Sequence, residues 1–451
     1  MSETIAAVAT GAQVSAIGIV RLSGDEAITL ADKLFRPQSG RPMRESAPRT
    51  LVYGSLLTRA GELLDICLCT IARAPHSYTG EDTAEFQCHG SPVVLRTLLD
   101  ELFALGARQA LPGEFTRRAF LNGRMDLTAA EAVADLIDAE SAESAKNAAG
   151  QLGGALWART DAIYAALADI SAHYHAVLDY PDEDIEAFRL AAYERSLADA
   201  AAELRALLST YERGKLMSAG IPAAIVGRPN AGKSSLLNAL LGYERAIVTR
   251  VPGTTRDTIE EKLRLGRLCL RLIDTAGLRE TDDEVERLGV ERSRSAMERA
   301  ELLIVVVDGS EPPTDEDRAL LAAAEKAKKA IVVLSKKDLS EEAELSTALP
   351  VVKLSAVTGE GVEALGAAIE AMFPLPEAPA GGILTNARHA EAIARALESV
   401  EAALRALREG ATPDIVLTES ESAMEALGEL DGRTVREDVT ARIFSRFCVG
   451  K

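Results

Sequence analysis

The chain is short of the residues from which secreted, metal-built or membrane-spanning folds are made. Of its 451 residues only 4% are aromatic, one of them tryptophan, and there are five cysteines and five histidines. Cysteines at 67, 69, 88, 269 and 448 have no framework spacing, which excludes a disulfide scaffold and implies a reducing compartment. Cys67 and Cys69 alternate with Ile66 and Leu68 in LLDICLCTI, the pattern of a buried strand, and read as core rather than as ligands. The histidines make no metal signature. Cys88-His89 is an isolated pair in a loop-like stretch and points to no zinc site. No apolar run reaches the roughly 18 residues of a membrane span. MSETIAAVATGAQ has no basic segment ahead of an apolar one, so no secretory leader is expected and a cytoplasmic protein is. Basic charge is also short, 50 Lys+Arg against 69 Asp+Glu, a formal net charge of −19. That excess repels bulk nucleic acid and anionic membrane. A nucleic-acid partner must meet a local basic patch, for which Arg117, Arg118 and Arg124 are the candidates.

Hydrophobic residues make up 47% of the chain, enough for two to four domains with real cores. Residues 1–118 read as mixed α/β. GIVRL (18–22), LVYGSLL (51–57) and LDICLCTI (64–71) are β-rich, and LRTLLDELFALGA (95–107) has helical spacing. Residues 119–215 are Ala-rich helix. Thr128 and Glu131 form a T-x-x-E capping box, and Leu152, Leu156, Ile163, Leu167, Ile170, Tyr174 and Val177 make one stripe ended by Pro181. Between 216 and 376, IPAAIVG, CLRLIDTAG, ELLIVVVDG, AIVVLSKKD and VVKLSAVTG alternate with helices, which predicts a parallel sheet. Residues 377–451 return to helix, with Ile393, Leu397, Val400, Leu404 and Leu407 on one face and a second capping box, Thr434 to Glu437, before a last helix. The economical architecture is a multidomain α/β plus all-α protein. An α/β domain is inserted into a helical-bundle domain that follows an N-terminal α/β domain. A linear row of four domains is the alternative.

Gly227-Arg228-Pro229-Asn230-Ala231-Gly232-Lys233-Ser234 fits the P-loop G-x-x-x-x-G-K-[ST], after the strand AAIV and before the helix SSLLNALLG. Its glycines let backbone N–H groups wrap phosphates at a helix N-terminus. Lys233 is positioned for the β- and γ-phosphates, and Ser234 for Mg²⁺, with Ser235 beside it. Asp274-Thr275-Ala276-Gly277 ends the strand LRLI as a D-x-x-G. Ser335-Lys336-Lys337-Asp338 and Ser355-Ala356 stand where Ras-like GTPases read guanine. Asp338 can accept from the base's N1–H and exocyclic amine. Two positions depart from the pattern. Ser335 replaces the usual Asn, and a hydroxyl offers fewer bonds than an amide, so weaker base binding is expected. Leu278 replaces the water-orienting Gln. One member of the acidic cluster Asp282-Asp283-Glu284-Val285-Glu286 can take that role, or the cluster can be a solvated loop.

GRPNAGKSS, VTRVPGTTRD, DTAGLRE and the terminal FCVGK together resemble the MnmE (TrmE) family of tRNA-modification GTPases. GIVRLSG (18–24), SYTGEDTAEFQCHG (77–90) and PGEFTRRAFLNGRMDL (112–127) extend the likeness over the whole chain. The resemblance implies a GTPase that acts with an FAD-dependent partner protein, in a heterotetramer or larger complex. It installs an aminomethyl or carboxymethylaminomethyl group on the tRNA wobble uridine. The one-carbon unit comes from a folate, 5-formyl- or 5,10-methylene-tetrahydrofolate, held by the N-terminal domain, which also forms the homodimer. It further implies K⁺ on Asn230, Thr249, Val251 and Thr254, and Thr255 joining Ser234 on Mg²⁺. Arg250, Pro252 and Gly253 belong to the same nucleotide loop. Glu286 matches the water-positioning glutamate. Arg21, Glu85, Arg124 and Lys451 match the folate site. A ribosome-assembly or signalling GTPase is the alternative; it needs neither that N-terminal constellation nor a terminal cysteine. Cys448 stands fourth from the end, where a prenylation box places its cysteine, but Gly450 and Lys451 do not fit such a box. Ile443, Phe444 and Phe447 want burial, so a docked helix presenting Cys448 as a catalytic or redox thiol is expected.

Overall fold

The computed structural model describes residues 3–11, 13–179, 190–243, 261–273, 297–339, 345–374, 378–434 and 437–451. The chain divides into two compact units. One comprises Met1–Ala134, Gln151–Ala172 and Glu421–Lys451, the other Asp135–Gly150 and His173–Ser420. None of the described helices is long and apolar enough to cross a membrane.

The first unit holds strands β1 (Ile5–Val8), β2 (Ser15–Ser23), β3 (Phe35–Pro37), β4 (Val52–Leu57), β5 (Leu63–Ala72), β6 (Thr83–Gly90) and β7 (Arg108–Gln109). Their order in the sheet is β3-β4-β5-β6-β2-β1-β7. Period-two alternation decides the buried face. In β5 the side chains of Cys67, Cys69 and Ile71 are buried while Ile66 is exposed, and in β6 Ala84, Phe86 and Cys88 are buried. Leu95, Leu98 and Leu102 of the helix Pro92–Ala104 pack on that face at spacings of three and four. The strand reading of Cys67 and Cys69 is therefore correct. The loop reading of Cys88-His89 is not, because both lie in β6, where Cys88 faces the core and His89 faces out. Polar Gln87 and His89 occupy the outward positions and hide the strand.

Two helical details also differ from expectation. Thr128 does not cap its helix: it lies inside Leu127–Ile137, and the cap is Asp126, whose Oδ1 accepts from the Ala129 N–H at 2.8 Å and from the Thr128 hydroxyl. An ionised carboxylate is the stronger acceptor for free N–H groups at a helix start. The stripe from Leu152 to Val177 is broken at Gly154, which has φ 82 and separates Ala142–Leu152 from Ala155–Asp179. Pro181 lies outside the described residues. The Thr434 hydroxyl donates to the Glu425 carbonyl at 3.1 Å, and the side chain of Glu437 lies outside the described residues. The last helix, Glu437–Phe444, places Phe444 and then Phe447 against Leu127, Ala130 and Val133.

The second unit holds β8 (Ile221–Val226), β9 (Glu261–Leu265), β10 (Leu268–Leu272), β11 (Leu302–Asp308), β12 (Ala330–Ser335) and β13 (Val351–Lys353), in the order β13-β12-β11-β8-β10-β9. All neighbours are parallel except β9 with β10. Central β11 is buried at every position. Leu302, Ile304 and Val306 face Leu236, Leu240 and Ile369 on one side, and Leu303, Val305 and Val307 face Leu321 on the other. Both faces are covered by helices, as a parallel sheet requires. Beyond the sheet, the helix Ala387–Arg408 buries Ile393, Val400 and Leu404 on the expected face.

One ion cluster in the first unit ties its peripheral segments together. Glu114, 8% exposed, accepts from Arg108 Nη2 at 2.6 Å, Arg108 Nη1 at 2.8 Å, the Leu111 N–H at 2.9 Å and Arg118 Nη2 at 3.1 Å. Burial alone would raise its pKa, but these donors hold it at about 2 against an ordinary 4.5. A depressed folded-state pKa gives stability that is present above the ordinary value and lost as pH falls through the folded one. After discounting for screening it is worth on the order of 2 kcal/mol. Urea midpoints followed by circular dichroism should therefore fall between pH 4.5 and about 2. Glu114→Gln should lower stability at neutral pH and flatten that acid slope; an unchanged slope would assign the acid sensitivity to other carboxylates.

Candidate functional site

The P-loop follows from β8 by two backbone necessities. A Cβ at Gly227 would sit 2.4 Å from the Val306 carbonyl oxygen of β11, so only glycine allows the chain to leave the sheet there. Asn230 at φ 61 and Gly232 at φ 97 then turn successive N–H groups inward ahead of the helix Lys233–Tyr243. The Lys233 ammonium donates to the Gly227 and Arg228 carbonyls, each at 2.8 Å. Two of its three protons are so used, leaving one for a phosphate oxygen. Burial lowers its pKa, opposed by Glu316. Asn230, Ser234 and Ser235 are exposed at the loop and helix start, and Ala231 is buried.

The base-reading side is organised around residues that the motif alone does not reveal. Ser335 ends β12 and is 3% exposed. Its Oγ donates to the Ala231 carbonyl at 2.6 Å and lies 3.2 Å from the Val307 carbonyl. A hydroxyl has one proton, so this one tethers the P-loop and is not available to a base. Lys336, at φ 57, places its ammonium 2.5 Å from Asp308 Oδ2. Asp308, at the end of β11, also accepts from the Ser310 N–H at 3.0 Å and hydroxyl at 2.6 Å. Burial would raise its pKa, but Lys336 and Ser310 hold it below the usual range. Arg228 of the P-loop lies 3.9 Å from the same carboxylate and 3.3 Å from Asp317, and pairs with Glu311. The role of Asp308 was missed from sequence, its signal being an Asp-Gly closing the apolar run ELLIVVVDG, and Arg228 was read only as a P-loop position. Asp338 is exposed, and its Oδ1 accepts from the Ser355 hydroxyl at 2.6 Å, which orients the carboxylate. Ala356 is partly buried against the hydrophobic core of the sheet. Thr249, Arg250, Val251, Pro252, Gly253, Thr254, Thr255, Asp274, Thr275, Ala276, Gly277, Leu278 and Glu286 lie outside the described residues.

In the first unit, residues far apart in sequence converge. Arg21 and Glu85 are register partners on β2 and β6, with Nε to Oε1 at 2.7 Å. The Arg21 guanidinium lies 5.4 Å from the Tyr78 ring centre and 5.7 Å from that of Phe115. Arg124 Nε donates to the Ser77 carbonyl, next to Tyr78, at 3.1 Å. The Phe115 N–H donates to the Lys451 carbonyl at 3.1 Å, the Gly113 N–H donates to the Cys448 carbonyl at 3.3 Å, and Pro112 bridges to Val449. Cys448 itself is exposed. Arg118 does not belong to a free basic patch. Its guanidinium donates to Glu81 at 2.8 Å, to Glu114 at 3.1 Å and to the Glu3 carbonyl at 2.8 Å. In the nucleotide site, loss of the Ser335 tether or of the Asp338 base acceptor is measurable by calorimetry with GDP and ADP. Ser335→Ala should weaken GDP about fivefold, about 1 kcal/mol, the value of one hydrogen bond. Ser335→Asn should tighten it by a similar amount, since an amide can keep the tether and add a donor. Asp338→Asn should erase the preference for GDP over ADP. Equal GDP and ADP affinities in the unaltered protein would overturn the assignment.

Residues 127–448 match the MnmE helical domain, and residues 4–124 match the N-terminus of the GTP-binding protein TrmE. The tRNA modification GTPase MnmE of Symbiobacterium thermophilum is 43% identical over 455 residues, covering 100% of this chain and 99% of that protein. The protein of the same name from Moorella thermoacetica is 43% identical over 465 residues, covering 100% of both. Among solved structures, the G domain of the T. maritima FeoB iron transporter is 28% identical over 34% of this chain and 98% of that one, with a TM-score of 0.26, a likeness too limited to argue from. A P-loop GTPase sheet, an N-terminal α/β domain and a helical domain stand in one chain matched end to end by proteins of one kind: this chain belongs to the MnmE family of tRNA-modification GTPases, GTP-binding enzymes that hydrolyse GTP in the course of modifying tRNA.

Proposed function

We propose that this GTPase is K⁺-dependent and works with an FAD-dependent partner protein. Together they form 5-aminomethyl or 5-carboxymethylaminomethyl uridine at the tRNA wobble position, with a tetrahydrofolate as the one-carbon source. The observation that carries the folate part is the docking of the chain's last residues on the first unit. It brings Lys451 to Phe115, whose ring lies beside the Arg21–Glu85 pair. These side chains suit a folate. Glu85 can accept from the N–H groups of a pterin, and Arg21, Arg124 and Lys451 can neutralise glutamate carboxylates. In this reading Cys448 is the thiol nearest the one-carbon chemistry, and the homodimer forms through the first unit.

On the nucleotide side, Lys233 offers its remaining proton to the phosphates, Asp338 reads the guanine edge, and Ser335 keeps the P-loop in register with both. Ser234 and Thr255 are assigned to Mg²⁺, and Asn230, Thr249, Val251 and Thr254 to K⁺. The exposed Asn230 carboxamide at its left-handed turn fits an oxygen ligand at the loop's rim. A bound K⁺ would supply the positive charge that an arginine finger supplies in other GTPases. Glu286 positions the attacking water, a role that Leu278 cannot take.

Two measurements test the reading. In single-turnover hydrolysis at matched ionic strength, KCl should accelerate turnover at least tenfold over NaCl. Glu286→Ala should abolish most turnover while leaving GTP affinity nearly intact, because an ordered water matters only in the chemical step. Asn230→Ala should remove the K⁺ dependence. Equal rates in both salts would reject the cation's role. Deleting Cys448 to Lys451 should weaken 5-formyl-tetrahydrofolate binding at least tenfold without altering GTP binding; unchanged folate affinity would reject the site.

A further inference from the structure

We propose that Asp65, Cys67 and Cys88 form a binding site for a thiophilic divalent cation, zinc(II), in the N-terminal sheet. The register of β5 on β6 pairs Leu68 with Gln87, which sets Cys67 opposite Cys88. Asp65 lies two residues before Cys67 on the same strand and so on the same face. One carboxylate oxygen and the two sulfur atoms all lie within 4.8 Å of one another. Zinc bound by thiolates at about 2.3 Å needs sulfur atoms a little under 4 Å apart, a separation that falls within this bound.

Core packing alone explains the two cysteines, which are 5% and 2% exposed. Beside them lies a carboxylate whose side chain is only 9% exposed. Carboxylates so placed are hydrogen-bonded, paired or coordinated to a cation. The carboxylate is also held in place. Oδ1 accepts from the Ile66 N–H at 2.7 Å and bonds His89 Nδ1 at 2.8 Å, while Oδ2 accepts the His89 N–H at 2.9 Å. Oδ2 therefore keeps a second lone pair for a metal. His89 orients the ligating carboxylate from outside, as supporting groups of metal sites do. Two sulfurs and one oxygen select zinc over the hard ions of the nucleotide site, which require oxygen alone.

Cobalt(II) is the probe, added to the reduced, full-length protein with Mg²⁺ and K⁺ at saturation. One equivalent should produce thiolate-to-cobalt charge transfer in the near ultraviolet, which one equivalent of zinc(II) bleaches. Cys67→Ala and Cys88→Ala should each reduce the band by half or more, and Cys269→Ser should leave it unchanged. Asp65→Asn, an isosteric change at a half-buried position that tests the site if the core variants fail to fold, should weaken cobalt at least tenfold. Absence of the band, its survival in the folded double alanine variant, or Asp65→Asn binding cobalt as tightly as the unaltered protein would overturn the site.

Discussion

The nucleotide side of this protein depends on one buried carboxylate. Asp308 closes the central strand of the sheet and receives Lys336, Ser310 and, at longer range, Arg228. The loop that wraps phosphates and the loop that reads the base arise from different strands, and the parallel sheet alone does not set their spacing. Asp308 does so from one side and the Ser335 hydroxyl from the other. Because both groups are nearly sealed from water, each bond is stronger than its surface counterpart and costlier to leave unmade. Removing the Lys336 charge would leave the buried Asp308 carboxylate with the Ser310 donors and the more distant Arg228 alone.

The first unit solves a different problem in the same way. Its functional candidates come from β2, β6, the segment after β7 and the last residues of the chain. Cross-strand pairing joins Arg21 to Glu85, and backbone bonds from Gly113 and Phe115 hold the terminal segment. Gly450 is required at this seam: at φ 97, a Cβ there would meet the Val8 carbonyl oxygen at 2.2 Å. The FCVGK ending is thus shaped as much by backbone approach as by its thiol.

Much of this was legible from sequence where a pattern repeats. Alternating runs marked β2, β4 and β5 of the first sheet, continuous apolar runs marked the parallel strands of the second, period 3.6 marked the helices, and four motifs in order marked the GTPase. What escaped were properties of register and of competition between acceptors. Thr128 looked like a cap because the spacing fits, yet Asp126 outbids it for the same N–H groups. Ser335 looked like a weakened base contact, whereas a carbonyl on a loop a hundred residues earlier takes its only proton. The three-residue set of Asp65, Cys67 and Cys88 has no linear signature, since the pairing of two strands creates it. Gly154 divides a stripe that hydrophobicity alone reads as continuous.

The first unit is assembled from three separate stretches of chain, with Ala172 and Glu421 marking the ends of the longest interruption. Its contacts are thus among the most distant in sequence that the protein makes. Closing such a loop is not prohibitive, because the entropy grows only logarithmically and each doubling of length costs about 0.6 kcal/mol. It is slow, however, since distant pairings must be found before they contribute stability. Prior folding of the intervening sheet replaces most of that loop by a rigid body and shortens the search. The GTPase sheet should therefore act as a folding scaffold for the unit that encloses it in sequence. A destabilised P-loop domain would then appear first as slow maturation of the N-terminal unit, before any loss of nucleotide affinity.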